Sequence, residues 1–127
     1  MDDVYQAQII DHYKNPRNFG ELEGDGVIRV REFNASCGDI VEFSIKVHAT
    51  GVIEGIKFKG GGCALSTSAA SMLTERIKNQ ESRITDLETL TFKDIVEMLG
   101  IEVSPTREKC VRLPLVALKK VVERVRK

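Results

Sequence analysis

Apolar and polar residues alternate most clearly over residues 40–47. Val41, Phe43, Ile45 and Val47 fall on one face, and Glu42, Ser44 and Lys46 on the other. That period-two pattern belongs to a half-buried strand. Residues 27–33 (VIRVREF) and 52–59 (VIEGIKFK) are also rich in β-branched and aromatic side chains, which favour pleated backbone. Thr50-Gly51 predicts a hairpin turn between residues 40–47 and 52–59. Consecutive short strands predict an antiparallel meander with helices on one face.

Helical spacing flanks this block. Residues 3–14 carry Val4, Ala7, Ile9, Ile10 and Tyr13 at a loose helical interval, and Pro16 stops the run. The stretch Asn15-Pro16-Arg17-Asn18-Phe19-Gly20 reads as a loop. After Gly60-Gly61-Gly62, residues 64–78 place Leu65, Ala69, Met72, Leu73 and Ile77 on one helical stripe. Thr91 and Asp94 match a capping box for residues 92–99, closed by Gly100. Ser104-Pro105 reads as an N-cap followed by proline at the first helical position. Pro114 reads as the start of a last helix, with Leu115, Leu118, Val121, Val122 and Val125 inward. The expected fold class is α+β: a small three-stranded antiparallel sheet with helices packed on one side.

A length of 127 residues fits one domain, 1–127. With 42% apolar and 30% charged residues, the chain has enough for a core and for a solvated surface, which argues against disorder. Formal net charge is zero, without the basic excess of a general nucleic-acid binder. The tail differs: from Val103 to Lys127 there are eight Lys or Arg and two Asp or Glu. Such a run is either a docking face for an acidic partner protein or the solvated face of a terminal helix, whose dipole favours cations at its end; the second is the ordinary case. No stretch is apolar for the roughly 20 residues of a membrane span. The start Met1-Asp2-Asp3 lacks the positive charge of a secretory signal and the acid-poor character of a transit peptide. The expectation is a cytoplasmic protein, or one whose targeting segment is already gone, with no membrane and no nucleic acid among the partners.

Three cysteines cannot all pair within one chain, and a reducing compartment keeps them as thiols. All three fall at expected element boundaries. Cys37 sits with Gly38 and Asp39 in the turn between two strands. Cys63 follows three glycines and opens a helix, where unpaired N–H groups favour thiolate. Cys110 lies four residues before Pro114, at an expected break between helical segments. The glycines before Cys63 let backbone approach a bound ion closely, with no Cβ in the way. Cys37 and Asp39, one glycine apart, are spaced to converge from one turn. Three thiolates and a carboxylate suit a tetrahedral Zn²⁺ or the terminal iron positions of a [2Fe–2S] cluster. The alternative is three unrelated thiols, since there is no C-x-x-C pair.

The local sequences carry more than the spacing. Tyr5 and Ile10-Asp11-His12-Tyr13-Lys14-Asn15-Pro16-Arg17-Asn18 come first. Ala35-Ser36-Cys37-Gly38-Asp39, Phe58-Lys59-Gly60-Gly61-Gly62-Cys63-Ala64 and Lys109-Cys110 follow. In this order they resemble, over essentially the whole chain, the U-type iron–sulfur cluster assembly scaffolds, the family of IscU, the NifU N-terminal domain and SufU. The resemblance implies an α+β fold and a scaffold on which iron and sulfide are assembled into a [2Fe–2S] cluster and handed to recipient apo-proteins. Sulfur would arrive as persulfide from a cysteine desulfurase. By matching positions, Cys37, Cys63 and Cys110 are cluster ligands or sulfur acceptors, and Asp39 is the carboxylate that makes the cluster labile. Zn²⁺ often occupies the same site in family members. A homodimer would pool two such units.

Two departures stand out. IscU-like members usually carry His before the last cysteine; here Lys109 stands there, as in SufU-like members, although their long insertion between the second and third cysteines is missing. The Leu-Pro-Pro-Val-Lys motif read by an Hsp70-type chaperone is here Val103-Ser104-Pro105-Thr106-Arg107, which keeps only the second proline and a cation and counts against chaperone-assisted release.

Other residues have structural readings. His12 supports the first helix and His48 lies at the surface, because a lone His is weak evidence for a ligand. Tyr13 and Phe19 supply apolar area. Ser66, Thr67 and Ser68 cap a helix rather than bond cluster sulfides. Three functions remain in competition. The first is the scaffold, a carrier rather than a turnover enzyme. The second is a zinc-dependent sulfurtransferase in which Cys37 or Cys110 exchanges for persulfide at a zinc site, with Cys110 as candidate acceptor and Lys109 as candidate thiolate activator. The third is a structural zinc protein, against which Asp39 argues, since such sites are closed by Cys and His.

Overall fold

The computed structural model describes residues 2–35 and 38–126, with side chains of the first helix from Ala7 onward. Cys37, Ser36 and the two end residues lie outside the described residues. Elements run in the order α1 (Asp2–Lys14), β1 (Val27–Asn34), β2 (Asp39–Val47), β3 (Ile53–Gly61), α2 (Ala64–Asn79), α3 (Ile84–Glu88), α4 (Phe92–Leu99), a 3₁₀ turn (Pro105–Arg107) and α5 (Glu108–Arg126).

The strands form an antiparallel meander in the order β1-β2-β3. Val30, Phe43 and Phe58 align across it, as do Ile28, Ile45 and Ile56. This face packs on α2 and α5, and the alternation of β2 marks it: Val41, Phe43 and Ile45 are buried. Each such side chain removed from water stabilises the fold by about 1.5–3 kcal/mol. The α+β class expected from the pattern is the observed one. His48 accepts the Thr50 N–H at Nδ1 (3.1 Å) and takes the Gly51 N–H on its carbonyl (2.8 Å), so this exposed histidine shapes the β2–β3 turn.

The seam between α1 and α2 is largely polar. Ser68 Oγ donates to the Ile9 carbonyl (2.6 Å). Ser71 Oγ accepts the Arg17 N–H (2.9 Å) and lies 2.7 Å from His12 Nδ1. Its oxygen being an acceptor for Arg17, its hydrogen is free to go to His12 Nδ1. His12 Nε2 lies 4.0 Å from Glu75 Oε1. Asn18 Nδ2 donates to Thr74 Oγ1 (3.1 Å). The Asn15-Pro16-Arg17-Asn18 loop is thereby fastened to a line of hydroxyls on α2. Phe19 crosses Phe58 edge-on, with centroids 5.3 Å apart. Tyr13 is 45% exposed and contributes less apolar burial than its helical spacing implied.

α4 carries the expected caps: Thr91 Oγ1 accepts the Asp94 N–H, Asp94 accepts the Thr91 N–H, and Gly100 takes the left-handed conformation (φ 73°). The reading at Pro114 is corrected. Pro114 does not start the last helix; α5 already begins at Glu108 and Pro114 lies inside it. Proline in a helix interior costs about 3 kcal/mol. Val111, Leu113, Leu115, Leu118 and Val121, all buried from both sides of Pro114, outweigh that cost. Ser104 makes no side-chain cap, and Pro105 opens a 3₁₀ turn that leads directly into α5. The short α3 had no sequence signal, because Arg83 stands at its N-cap; the N-terminal N–H of Arg83 is instead taken by Asp86 Oδ2 (2.7 Å).

Candidate metal centre

The site is assembled where the β1–β2 turn, the end of β3 and the start of α5 meet. Asn34 pairs with Asp39 at the open end of the hairpin. Gly38, at φ 73°, gives its N–H to the Asn34 carbonyl (2.8 Å). Asp39 thus begins β2 with its side chain turned inward, only 1% exposed. β3 runs alongside through Gly60 and Gly61, paired with Val41 and Ile40, and delivers Cys63 to the N-cap of α2.

Asp39 and Cys63 meet twice. Asp39 Oδ1 accepts the Cys63 N–H at 2.8 Å, and Asp39 Oδ2 lies 3.4 Å from Cys63 Sγ. Cys63 Sγ also accepts the Ser66 N–H (3.4 Å). Cys110 comes from the first turn of α5 and is buried, 3% exposed. This corrects the expected break between helices: Cys110 sits within a continuous helix. One sulfur each from Cys63 and Cys110 and one oxygen of Asp39 lie within 4.8 Å of one another. Tetrahedral zinc with bonds of about 2.0–2.3 Å requires donors about 3.5–3.8 Å apart, so a small contraction turns this group into a chelate. Two soft sulfurs and one hard oxygen suit zinc or iron. The structure therefore brings together three of the four ligands expected from the sequence. The fourth, Cys37, lies outside the described residues and is joined to Asp39 through Gly38.

Lys109 is exposed, unlike its neighbour Cys110. It lines a groove of about 370 Å³ with Phe33, Arg112, Leu113 and Val116. Successive helical residues do not face each other, so Lys109 and Cys110 look out of different sides of α5. The three glycines before Cys63 carry a feature the sequence showed only in part. At Gly62 the space of an absent Cβ is filled by the carboxylate of Asp39. Ser66 and Ser68 bond backbone carbonyls, of Cys63 (3.2 Å) and Ile9 respectively.

Four cations of the basic tail are engaged internally. Lys119 donates to the carbonyls of Leu87 (3.0 Å) and Glu88 (2.6 Å) at the end of α3. Lys120 pairs with Glu32 (2.5 Å), Arg126 pairs with Glu88, and Arg124 donates to the Arg29 carbonyl (2.5 Å). These cations fasten α5 to α3 and β1.

The NifU-like N terminal domain matches residues 4–127. The chain belongs to this family. Within it, the chain is 34% identical to the zinc-dependent sulfurtransferase SufU of Bacillus subtilis, over 96% of this chain and 91% of that protein. It is 40% identical to the iron-sulfur cluster assembly scaffold protein IscU of Aquifex aeolicus, over 93% of this chain and 73% of that one. A NifU-like N-terminal protein from Brucella abortus shares the fold with a TM-score of 0.76, covering 98% and 96% of the two chains at 15% identity. Among the described residues, no helix of this NifU-like chain is long and apolar enough to cross a membrane.

Proposed function

We propose that this NifU-like domain is a cytoplasmic scaffold that assembles iron–sulfur clusters from iron and desulfurase-derived sulfur and passes them to apo-proteins. The observation that carries this reading is the convergence of a buried carboxylate with two thiols within 4.8 Å. Relatives named IscU support it. Cys37, Cys63 and Cys110 hold iron through thiolate sulfur, and Asp39 supplies a harder oxygen that binds soft centres less firmly. A site closed by thiolates alone would keep its cargo; one with a carboxylate gives it up. Sulfur enters when a cysteine thiolate attacks the outer sulfur of a persulfide on a cysteine desulfurase. The new S–S bond forms on the scaffold, and the desulfurase leaves as thiolate; an external two-electron donor then cleaves that bond, restoring the scaffold thiolate and releasing the outer sulfur as sulfide for the cluster.

The competing reading is a zinc-dependent sulfurtransferase, favoured by the likeness to SufU and by Lys109 before Cys110. In it Zn²⁺ stays bound and Cys110 only relays sulfur. Anaerobic reconstitution with iron and sulfide separates the two. Stoichiometric sulfide with visible charge-transfer bands, lost on transfer to an apo-ferredoxin, supports the scaffold. Stoichiometric zinc that iron and sulfide do not displace supports the sulfurtransferase.

A further inference from the structure

Gly62 follows β3 and precedes Cys63. Its φ is +144°, a backbone conformation that side-chain-bearing residues rarely adopt. A Cβ built on it would lie 2.0 Å from Asp39 Oδ1, 2.6 Å from Asp39 Cγ and 2.9 Å from Asp39 Cα. These are far inside contact distance; the two nearest atoms belong to a short side chain already 1% exposed, and the third is the backbone Cα of Asp39. No rotamer change relieves it without taking the carboxylate off the Cys63 N–H, the 2.8 Å bond that fixes it.

Gly60 provides the contrast. Its φ is +138°, and its Cβ would strike the Ile40 carbonyl oxygen at 2.1 Å. That clash is with the backbone of β2 and leaves the carboxylate out. Two glycines with the same backbone need thus serve different ends: Gly60 lets β3 close on β2, and Gly62 makes room for one functional group.

We infer that Gly62 is a positioning residue that determines whether Asp39 stands in the metal site. The carboxylate occupies the volume that any other residue at 62 would fill. With glycine there, one oxygen is tied to the Cys63 N–H and the other is held 3.4 Å from Cys63 Sγ, ready to share an ion with the sulfurs. With a side chain there, the carboxylate is expelled and the site falls back on thiolates alone. This inference rests on the metal-binding reading of the site.

A double-mutant cycle on zinc affinity, read by a competing chelator, and on the visible spectrum of the Co²⁺ form tests it. The proteins are the native chain, Gly62→Ala, Asp39→Ala and the double variant, with Gly60→Ala as the control for backbone damage. Groups that orient metal ligands typically alter affinity about 10–100-fold. Gly62→Ala is expected to change zinc affinity in that range, to match Asp39→Ala within about twofold in the same cycle, and to shift the Co²⁺ bands to the same positions. In the Asp39→Ala background its effect should shrink to the backbone cost alone, no larger than that of Gly60→Ala, whereas Gly60→Ala should act equally in both backgrounds. Equal, additive effects of Gly62→Ala in both backgrounds overturn the inference, as does an unchanged native-like Co²⁺ spectrum. If Gly62→Ala does not fold but the double variant does, the clash with Asp39 is demonstrated directly. If neither folds, the glycine serves the backbone and the inference fails. A native chain that binds neither Zn²⁺ nor Co²⁺ defeats the metal reading itself, a result distinct from all of these.

Discussion

The backbone N–H of Cys63 and Oδ1 of Asp39, 2.8 Å apart, tie the end of β3 to the start of β2 without any metal. Asp39 is therefore a fold residue as well as a ligand candidate. Asp39→Ala leaves the Cys63 N–H without its acceptor, and an orphaned polar group of this kind costs about 1–3 kcal/mol. Thermal melts of the metal-free protein should show that loss for Asp39→Ala and a smaller one for Asp39→Asn, which keeps an acceptor oxygen. Equal stabilities of all three would mean that this bond contributes nothing.

The same substitution should act oppositely on the cargo. Once the hard oxygen is gone, and water or another ligand takes its place, a reconstituted cluster should persist longer and transfer more slowly to an apo-ferredoxin. Transfer followed by circular dichroism gives the rate. Faster transfer from Asp39→Ala than from the native chain would contradict the labilising role.

Each cysteine should be needed. Replacing Cys37, Cys63 or Cys110 singly by Ser puts a hard, high-pKa hydroxyl where a soft thiolate stood. Stable cluster binding, read as sulfide content after gel filtration, should be abolished in all three. Normal occupancy in Cys110→Ser would separate that buried thiol from the site.

Lys109 offers charge without contact. It is exposed on α5 while Cys110 is buried, and an exposed charge couples to a neighbouring group by roughly 0.2–1 kcal/mol. In metal-free protein with Cys37 and Cys63 changed to Ser, Lys109→Met should slow alkylation of Cys110 at fixed neutral pH about twofold. Coincident rates would remove Lys109 from sulfur acceptance.

His12 gives the fold a pH dependence. Burial, and then the nearby Arg17 guanidinium, hold its pKa below the ordinary histidine value, against the pull of Glu75 and Asp11. The unfolded chain therefore takes up a proton at His12 before the folded one does. Stability from this residue is fully present above the unfolded value of about 6.5 and is lost as pH falls from there through the folded pKa. Melting temperature should drop across that window in the native protein and less steeply in His12→Gln. Parallel profiles would assign the drop to other groups.

Much of this was legible in the residues. Val41, Phe43 and Ile45 betray β2 because one face is apolar and buried while the other carries polar side chains, of which Ser44 is itself covered by the Leu22 backbone. Thr91, Asp94 and Gly100 mark both ends of α4, since caps are local chemistry. Cys63 at a helix start follows from the glycines before it and the amphipathic run after it. Pro114 misled because its local cost is outweighed by burial along the whole of α5, a tertiary effect that no window of sequence contains. Cys110 was misplaced for the same reason. The fit between Gly62 and Asp39 was out of reach too: 23 positions separate them, and only the pairing of β2 with β3 brings them into contact.

The hydroxyl line of α2 has a consequence for how the molecule comes apart. Ser68, Ser71 and Thr74 hold α1 and its loop through hydrogen bonds, with Ile9 the one fully buried apolar side chain among the described ones of α1. Undocking the described part of α1 therefore wets little of its own hydrocarbon. Its amides should exchange with deuterium through an opening whose free energy barely changes with urea, while those of β2 and α5, locked behind Phe43 and Leu118, respond steeply. The protein would then shed its first helix as a separate, shallow step and keep its core closed.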